Sequence, residues 1–254
     1  MSFHILSYDQ GKRPICGIYA ILNGLFDYKY CRRKEIYAIA NVLWESAICD
    51  NIPLNKSATC NTVDLSQLKY SIIGEFSSSK LLCDFINDKV NSINQSLPVS
   101  AKKLDEAKPI KNFDCSNLTF QDFNNCFYII PINSNGRGKN KNIFHWLCLK
   151  LEGKNIRIAN RVTRSERRAK CSLRKINSLT ELQSTFKNMR FLRNKCFFIS
   201  EWAKQEKVKK DFPDNVKENF DELNKNNIKI KYDNLCKDNE DYPFNAIKVS
   251  YKGN

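Results

Sequence analysis

The chain of 254 residues has only two histidines, His4 and His145, and no apolar run long enough to span a bilayer. A membrane-spanning helix needs about 20 consecutive, predominantly apolar residues, so the sequence predicts no transmembrane segment. The N-terminal sequence MSFHILSYDQ also lacks a basic region followed by a long apolar one, the pattern of a secretory signal peptide. We therefore expect a mature chain that starts at or near Met1 and a cytoplasmic location.

The eleven cysteines are scattered singly, and no two of them form a CxxC pair. An odd number cannot pair completely within one chain, and the missing CxxC spacing argues against a zinc cage and against a secreted disulfide framework. For most of these cysteines we expect the role of small, buried apolar residues in a reducing compartment. We predict neither a metal nor another cofactor.

Acidic residues are few beside the basic ones, since 42 Lys and Arg against 27 Asp and Glu give a formal charge of +15. Such a charge attracts nucleic acid, anionic membrane surfaces or acidic proteins. The densest basic segments, residues 161–175 and 204–210, carry no zinc-finger, RNP or Gly-rich phosphate-loop pattern. We do not expect nucleic acid as the main partner, and we keep a membrane surface, reached through these basic segments, as an alternative. A simple basic coat on the surface is the plainer interpretation.

The spacing of apolar residues predicts helices first and an antiparallel sheet afterwards, which is an α+β architecture. The sequence predicts helices at 16–26, 32–48, 60–76, 77–94 and 179–189, strands at 125–132, 143–151, 156–162 and 195–200, and one more helix within 211–234. We expect the first helix to pack against the sheet. A soft boundary near Trp202 would divide a catalytic domain, residues 1–202, from a charged C-terminal extension of unknown role, residues 203–254.

The segment DQGKRPICGIYAILNGL, residues 9–25, combines a polar lead-in with a cysteine at the predicted start of a helix. At a helix N-terminus the dipole and the free N–H groups favour a thiolate, so we expect a lowered pKa for Cys16. Gly17 would let a substrate backbone approach closely. The side-chain amide of Gln10 and the backbone N–H of Cys16 would together bind an oxyanion.

A thiolate nucleophile needs a base, and His145 lies in the strand IFHWLCLKL. The turn EGKN folds the next strand back, which brings Asn160 beside the His145 region, where its carbonyl would fix the imidazole tautomer. A lone histidine in an apolar strand more often has a packing role, and asparagine is abundant in this chain. Trp146 would shield the bond between His145 and Asn160, or simply pack. We assign no role to His4.

The segments DQGKRPICGIYAILNGL, HWLCLKLEGKNIRIANRV and CFFIS together resemble a papain-like cysteine peptidase, and within that clan they most resemble the Josephin deubiquitinases. The shared features are a Gln on a short lead-in, a Cys that opens the first helix, a Leu-Asn pair in that helix, and His-Trp on a strand followed by Asn. The resemblance spans roughly residues 3–200. It implies a papain-like fold with N-terminal helices packed on an antiparallel sheet.

Carried over to this chain, the resemblance makes Cys16 the nucleophile, His145 the general base, Asn160 the orienting residue and Gln10 the oxyanion donor. It implies a protein substrate, with ubiquitin or a ubiquitin-like modifier favoured. The Josephin helix usually carries a His and a second Cys after the nucleophile, where this chain has residues 18–20, IYA. The sequence CGIYA is similar to sequences in bacteriocin-processing peptidases and in bacterial effector proteases. A host cytosol, reached by delivery as a bacterial effector, is therefore an alternative location.

Two other functions fit the same residues. A Cys-His-Asn site can deamidate or transamidate a Gln side chain through the same thioester. A non-catalytic module that binds through its basic face would not use Cys16 at all, and its binding would fall steeply with salt.

Overall fold

Four helices and eight strands make up the part of the chain that the structure, a computed structural model, describes. That part comprises residues 15–26, 33–56, 61–64, 66–111, 113, 118–133, 144–153, 155–160, 172–176, 212–225 and 245–253. The helices are α1 (Cys16–Leu25), α2 (Arg33–Ala47), α3 (Ser79–Ser96) and α4 (Asp214–Lys225), and a 3-10 turn spans Phe120–Phe123. The strands are β1 (Leu54–Lys56), β2 (Asn61–Val63), β3 (Leu104–Ile110), β4 (Cys126–Asn133), β5 (Phe144–Glu152), β6 (Asn155–Asn160), β7 (Ser172–Ile176) and β8 (Ala246–Tyr251).

Six of the strands form one antiparallel sheet in the order β3-β8-β4-β5-β6-β7. The helices and this sheet confirm the predicted α+β class, and β4, β5 and β6 confirm three of the predicted strands. Along β4 and β5 the described side chains alternate between two buried clusters, one on each side of the sheet. On β4, Phe127 and Ile129 join the core with the helices, whereas Tyr128 and Ile130 join a second cluster on the other side.

Helix α1 lies against the sheet, in contact with β5 and β4, as the sequence predicts. All of its residues are buried, because the sheet and α2 both pack on it. Gly24 lets the ring of Phe127 pack closely against the last turn of the helix, since a Cβ atom there would collide with that ring. The hydroxyl of Tyr251 donates a hydrogen bond to the Gly24 carbonyl at 2.8 Å, which ties the helix end to β8.

Helix α3 confirms the predicted helix at 77–94. Its N-cap, Ser78, accepts a hydrogen bond from the backbone N–H of Leu81 at 3.1 Å, the usual way in which a serine starts a helix. Leu82, Phe85 and Ile86 lie on the buried side of the helix, and the exposed side is polar. No helix within the described ranges has both the length and the apolar character needed to cross a membrane.

The helix predicted at 60–76 is wrong. Asn61–Val63 pairs with Leu54–Lys56 as β2, and Ser71 forms a parallel bridge with Ile48. The backbone N–H of Ser71 donates to the Ala47 carbonyl at 3.1 Å. The segment is apolar at helical spacing, but its backbone groups find partners far along the chain, and tertiary pairing of this kind overrides local spacing.

The described C-terminal residues, 212–225 and 245–253, belong to the same fold as the described residues before them, so they do not form the separate extension predicted from residue 203. Strand β8 lies inside the sheet between β3 and β4. Helix α4 confirms the helix predicted within 211–234 and buries Val216 and Phe220 in the main core. Apolar burial and strand pairing therefore join the two ranges. The elements predicted at 179–189 and 195–200, and residue 202 itself, lie outside the described residues.

Candidate active site around Cys16

Cys16 is the first residue of α1, as predicted. Its N-cap neighbour Ile15 has φ −124° and ψ 35° and makes no side-chain capping bond, and the first turn holds no acidic residue. The first N–H groups of a helix have no partner within the helix, so this end is suited to a negative charge on sulfur or on a substrate oxygen. Only 8% of Cys16 is exposed.

The segment 74–76 packs tightly along the start of α1. A Cβ atom on Gly74 would lie 2.8 Å from Ile15 Cγ2, and one on Gly17 would lie 2.8 Å from Phe76 Cδ2. Gly74 has φ +104°, a conformation that glycine adopts readily. Residues 74 and 76 thus contact the two neighbours of Cys16, and Glu75 lies between them.

Hydrogen bonds fix the turn that carries Glu75. The hydroxyl of the buried Ser71 accepts from the Gly74 N–H at 2.7 Å and donates to the Glu75 carbonyl at 2.9 Å. After the turn, the indole N–H of Trp146 donates to the Phe76 carbonyl at 3.3 Å. Hydrogen bonds within the turn and one to the Trp146 side chain on β5 therefore hold the turn in place.

Burial raises the pKa of the Cys16 thiol from 9.0 to about 12. This value already includes the backbone N–H groups of Trp146, Gly17 and Cys16, which lower the pKa, and the negative charge of Glu75, which raises it. The lowered pKa that the helix position predicts is thus not found in the described surroundings of the sulfur. Desolvation disfavours the charged form more strongly than the backbone N–H groups favour it.

The start of β5 adjoins the start of α1, since Trp146 Cδ1 lies 3.4 Å from where a Cβ atom of Gly17 would be, and the Trp146 backbone N–H lowers the pKa of Cys16. His145, the second residue of β5, directly precedes Trp146 and pairs with Ile132 on β4. Trp146 and Cys148 belong to the core on the helix side of the sheet, and Leu147 to the cluster on the other side. The backbone of His145 is thus one residue from a contact with the start of α1.

Asn160 is the last residue of β6, the strand next to β5. Ala159 pairs with Cys148, so continuation of the register sets Asn160 opposite Leu147, two residues from His145. Positions 145 and 160 are diagonal neighbours, at about 7–8 Å between Cα atoms in such pairs, and strand alternation sets both on the Leu147 side of the sheet, opposite to the side on which α1 packs. The strand order thus brings the two predicted residues onto adjacent strands at the same end.

The other predicted residues have different outcomes. Gln10 lies outside the described residues, so its role stays a prediction. Trp146 is fully buried and packs beside Gly17, with its Cδ1 atom 3.4 Å from where a Cβ of that glycine would be. The packing role of Trp146 is therefore shown, and the shielding of a bond between His145 and Asn160 stays a prediction.

Cys49, Cys83, Cys126 and Cys148 have free thiols too. Burial raises the pKa of Cys49 to about 11 and those of Cys83 and Cys148 to about 12. Among them, Cys83, Cys126 and Cys148 are buried apolar contacts in the cores. Within the described ranges, no three His, Cys, Asp or Glu side chains lie close enough together to hold a metal ion.

Sequence reasoning missed Glu75. The only signal was the Gly-Glu pair within SIIGEF, residues 71–76, and it was assigned to the end of a helix that does not form. The contacts that carry Glu75 to Cys16 join residues about 60 positions apart, so no local pattern could identify it.

Comparisons of the chain with models of known protein families, with curated proteins and with solved structures gave no match.

Proposed function

We propose that this protein is a papain-like cysteine peptidase or isopeptidase that hydrolyses protein conjugates. Cys16 is the nucleophile, His145 the general base, Asn160 the residue that orients the base, and Gln10 an oxyanion donor. The observation that carries the proposal is the position of Cys16. It opens a helix whose start is in contact with the beginning of β5, the strand that carries His145.

In the proposed reaction, His145 takes the proton of the Cys16 thiol, and the thiolate attacks the scissile carbonyl. The backbone N–H of Cys16 and the amide of Gln10 bind the oxygen, which becomes negative. The C–N bond breaks as His145 returns the proton to the leaving amine, and an acyl thioester remains on Cys16. Water, deprotonated by His145, then hydrolyses the thioester to a carboxylic acid and restores the thiol.

The raised pKa of Cys16 gives the base a specific task. With a pKa of about 12, the thiol is almost wholly protonated near neutral pH, and it needs a neighbouring positive charge or base to react. A histidine is suited to this role because its unperturbed pKa is about 6.5. The chain has one histidine besides His4, and its backbone adjoins Trp146 at the thiol.

Ubiquitin or a ubiquitin-like modifier is the favoured substrate, on the strength of the resemblance to the Josephin group. The test is the reaction of the protein with a ubiquitin-derived electrophilic probe. We expect one covalent adduct, located on Cys16 by peptide mass spectrometry. The adduct disappears in Cys16→Ala and persists in Cys49→Ala, the matched control at another thiol of raised pKa.

Different outcomes separate the class of enzyme from its substrate. Reaction of Cys16 with peptide electrophiles but not with the ubiquitin probe would support a cysteine peptidase of another substrate. A mass gain of about one dalton on a protein substrate, without cleavage, would indicate deamidation of Gln instead. Activity retained in full by Cys16→Ala would overturn the proposal.

A further inference from the structure

Residues 71–76 form a loop outside the helices and strands, and five of the six are buried. Buried backbone carbonyls need hydrogen-bond donors, and in this loop distant side chains supply them. Asn219 of α4 donates to the Ile72 carbonyl at 2.9 Å. The indole N–H of Trp44 of α2 donates to the next carbonyl, that of Ile73, at 3.0 Å. Two helices from opposite ends of the chain therefore hold adjacent carbonyls of the 71–76 loop.

The 71–76 loop in turn packs against the start of the helix that carries Cys16. Gly74 adjoins Ile15, since a Cβ atom on the glycine would lie 2.8 Å from Ile15 Cγ2. Phe76 adjoins Gly17, at 2.8 Å between Phe76 Cδ2 and the position of a Cβ atom there. Cys16 is the residue between these two contacts. Because the interior is closely packed, a shift of the loop displaces the backbone on both sides of the sulfur.

Asn219 connects the 71–76 loop to a second segment. The same side-chain amide donates to the Cys49 carbonyl at 2.9 Å, and Asn219 is buried. The Cys49 N–H donates to the Ser71 carbonyl, at the start of the loop, at 2.8 Å. An amide has two N–H groups to donate, and the carbonyls of residues 49 and 72 accept from them. Without this side chain, the first half of the loop loses the attachment that α4 provides.

We propose that Asn219 is a positioning residue for the nucleophile, which acts through the 71–76 loop and the start of α1. The inference rests on the proposed function and deepens it, because α4 would then help to align Cys16 with the scissile carbonyl. Alignment acts on the chemical step, and a misplacement of about 1 Å by a substitution far from the reacting atoms can cost about 100-fold in rate.

The test measures the covalent reaction of Cys16 in the full chain with an electrophilic probe, either the ubiquitin-derived probe or a peptide vinyl sulfone. For Asn219→Ala we expect the maximal rate of adduct formation to fall about 10- to 100-fold. The probe concentration that gives half of this rate should stay within about twofold of the wild-type value, because binding is not the affected step. Peptide mass spectrometry should locate the adduct on Cys16 in both proteins.

Asn94→Ala is the matched control for a loss of stability. Asn94 of α3 also pairs with the backbone, since its side chain donates to the Leu104 carbonyl at 2.8 Å and accepts from the Leu104 N–H at 2.7 Å. Denaturant titrations should show comparable losses of stability in Asn94→Ala and Asn219→Ala, because each loses two backbone partners. Asn94→Ala should nevertheless keep the wild-type rate of adduct formation.

Alkylation by iodoacetamide detects unfolded molecules, because an unfolded chain exposes the Cys16 thiol and reacts quickly. Asn219→Ala should show no such fast fraction under the conditions of the probe reaction. A fast fraction that accounts for the lost probe reaction would show that the substitution acts through unfolding.

The outcomes distinguish this inference from the proposed function. The inference is overturned, and the function stands, if Asn219→Ala reacts with the probe at the wild-type maximal rate, if Asn94→Ala slows equally, or if unfolded molecules account for the loss. If neither probe labels Cys16 of the wild type, the proposed function is overturned, and the inference falls with it.

Discussion

Replacement of His145 by Ala should change the reactivity of a different residue, Cys16. The described surroundings hold the pKa of this thiol at about 12. At about pH 7.5 the thiolate fraction would then be roughly 3 in 100,000, by the ratio of ten per pH unit. If the imidazolium of His145 forms an ion pair with the sulfur, it supplies the missing stabilisation, and the variant loses it.

The size of the effect follows from Coulomb's law. Opposite unit charges at about 4 Å, with an effective dielectric constant of about 20, attract by about 4 kcal/mol, which is about 3 pKa units. While the imidazole carries its positive charge, the thiolate fraction rises about 1,000-fold. A thiolate of lower pKa is also less nucleophilic, with a Brønsted slope of about 0.45, which costs about 20-fold. We therefore expect the wild type to alkylate roughly 50-fold faster at Cys16 than His145→Ala does.

The assay is alkylation by iodoacetamide between about pH 6 and pH 10, with the modified Cys16 peptide quantified by mass spectrometry. In His145→Ala the rate should rise about tenfold per pH unit throughout, whereas the wild type should level off at the pKa of its ion pair. His4→Ala removes the other histidine and should behave as the wild type. Identical profiles for the wild type and His145→Ala would refute the pairing of His145 with Cys16.

Three further predictions concern the stability of the fold. Asn219→Ala should lower the free energy of unfolding by about 2–3 kcal/mol in denaturant titrations, because the Asn219 side-chain amide donates to carbonyls of two segments at 2.9 Å each. Glu218→Ala, at an exposed position of the same helix, should change this free energy by no more than about 0.5 kcal/mol. Equal effects of the two substitutions would contradict the role of α4. Gly24→Ala should lower the free energy of unfolding by about 2 kcal/mol, since overpacking against Phe127 costs about 3 kcal/mol and the better helix propensity of alanine returns about 1 kcal/mol. An unchanged thermal unfolding temperature would show that the ring moves aside without cost. The pKa of Cys83 is about 12 in the folded protein and about 9 in the unfolded chain, so its contribution to stability is complete below pH 9 and is lost as the pH rises toward 12. In Cys83→Ala the free energy of unfolding should therefore fall less steeply in this pH range, by about 1.4 kcal/mol per pH unit. An unchanged slope would refute this prediction.

The elements that the sequence predicted well are those whose signal is local. Helix α1 has apolar residues at helical spacing after a proline, and α3 has a serine cap followed by a long amphipathic pattern. The hairpin of β5 and β6 follows from two apolar runs around EGKN, where Gly153 has φ +59° as a tight turn requires. In these cases each residue's partners are a few positions away, so spacing alone carries the information.

The elements that were missed depend on distant partners. Strand β3, with the pattern LDEAKPI, is half exposed and charged, and it pairs with β8 more than 130 residues later. Strand β8 reads as part of a charged tail, yet Ile247 and Val249 are fully buried by α3, β3 and β4. Their burial follows only from the assembled sheet, and a boundary drawn from composition at residue 202 could not account for it.

The predicted site had the same limit. The motif predicts that Cys16 and the strand of His145 come together, and the structure shows α1 packed on that strand, with Trp146 beside Gly17. It could not supply Glu75, whose position depends on the bridge between Ser71 and Ile48 and on the packing of Gly74 against Ile15. A motif that lies in two short segments can be found in the sequence, whereas the groups that alter the pKa of its cysteine belong to segments that reach it only in the folded chain.

Burial and the helix terminus act on Cys16 in opposite directions, and their sizes explain which one prevails. A helix N-terminus is worth about 0.3–1 kcal/mol to an exposed anion and up to about 2 kcal/mol to a partly buried one, or about 1.5 pKa units. Desolvation of a fully buried group reaches about 3–5 units, and the pKa rise of Cys16 to about 12 has the sign of that larger effect. A helix start alone therefore does not make a buried cysteine reactive. The helix start lowers the free-energy cost of forming the thiolate, and a neighbouring cation must offset the rest. The proposed activity therefore depends on His145 as strictly as on Cys16 itself.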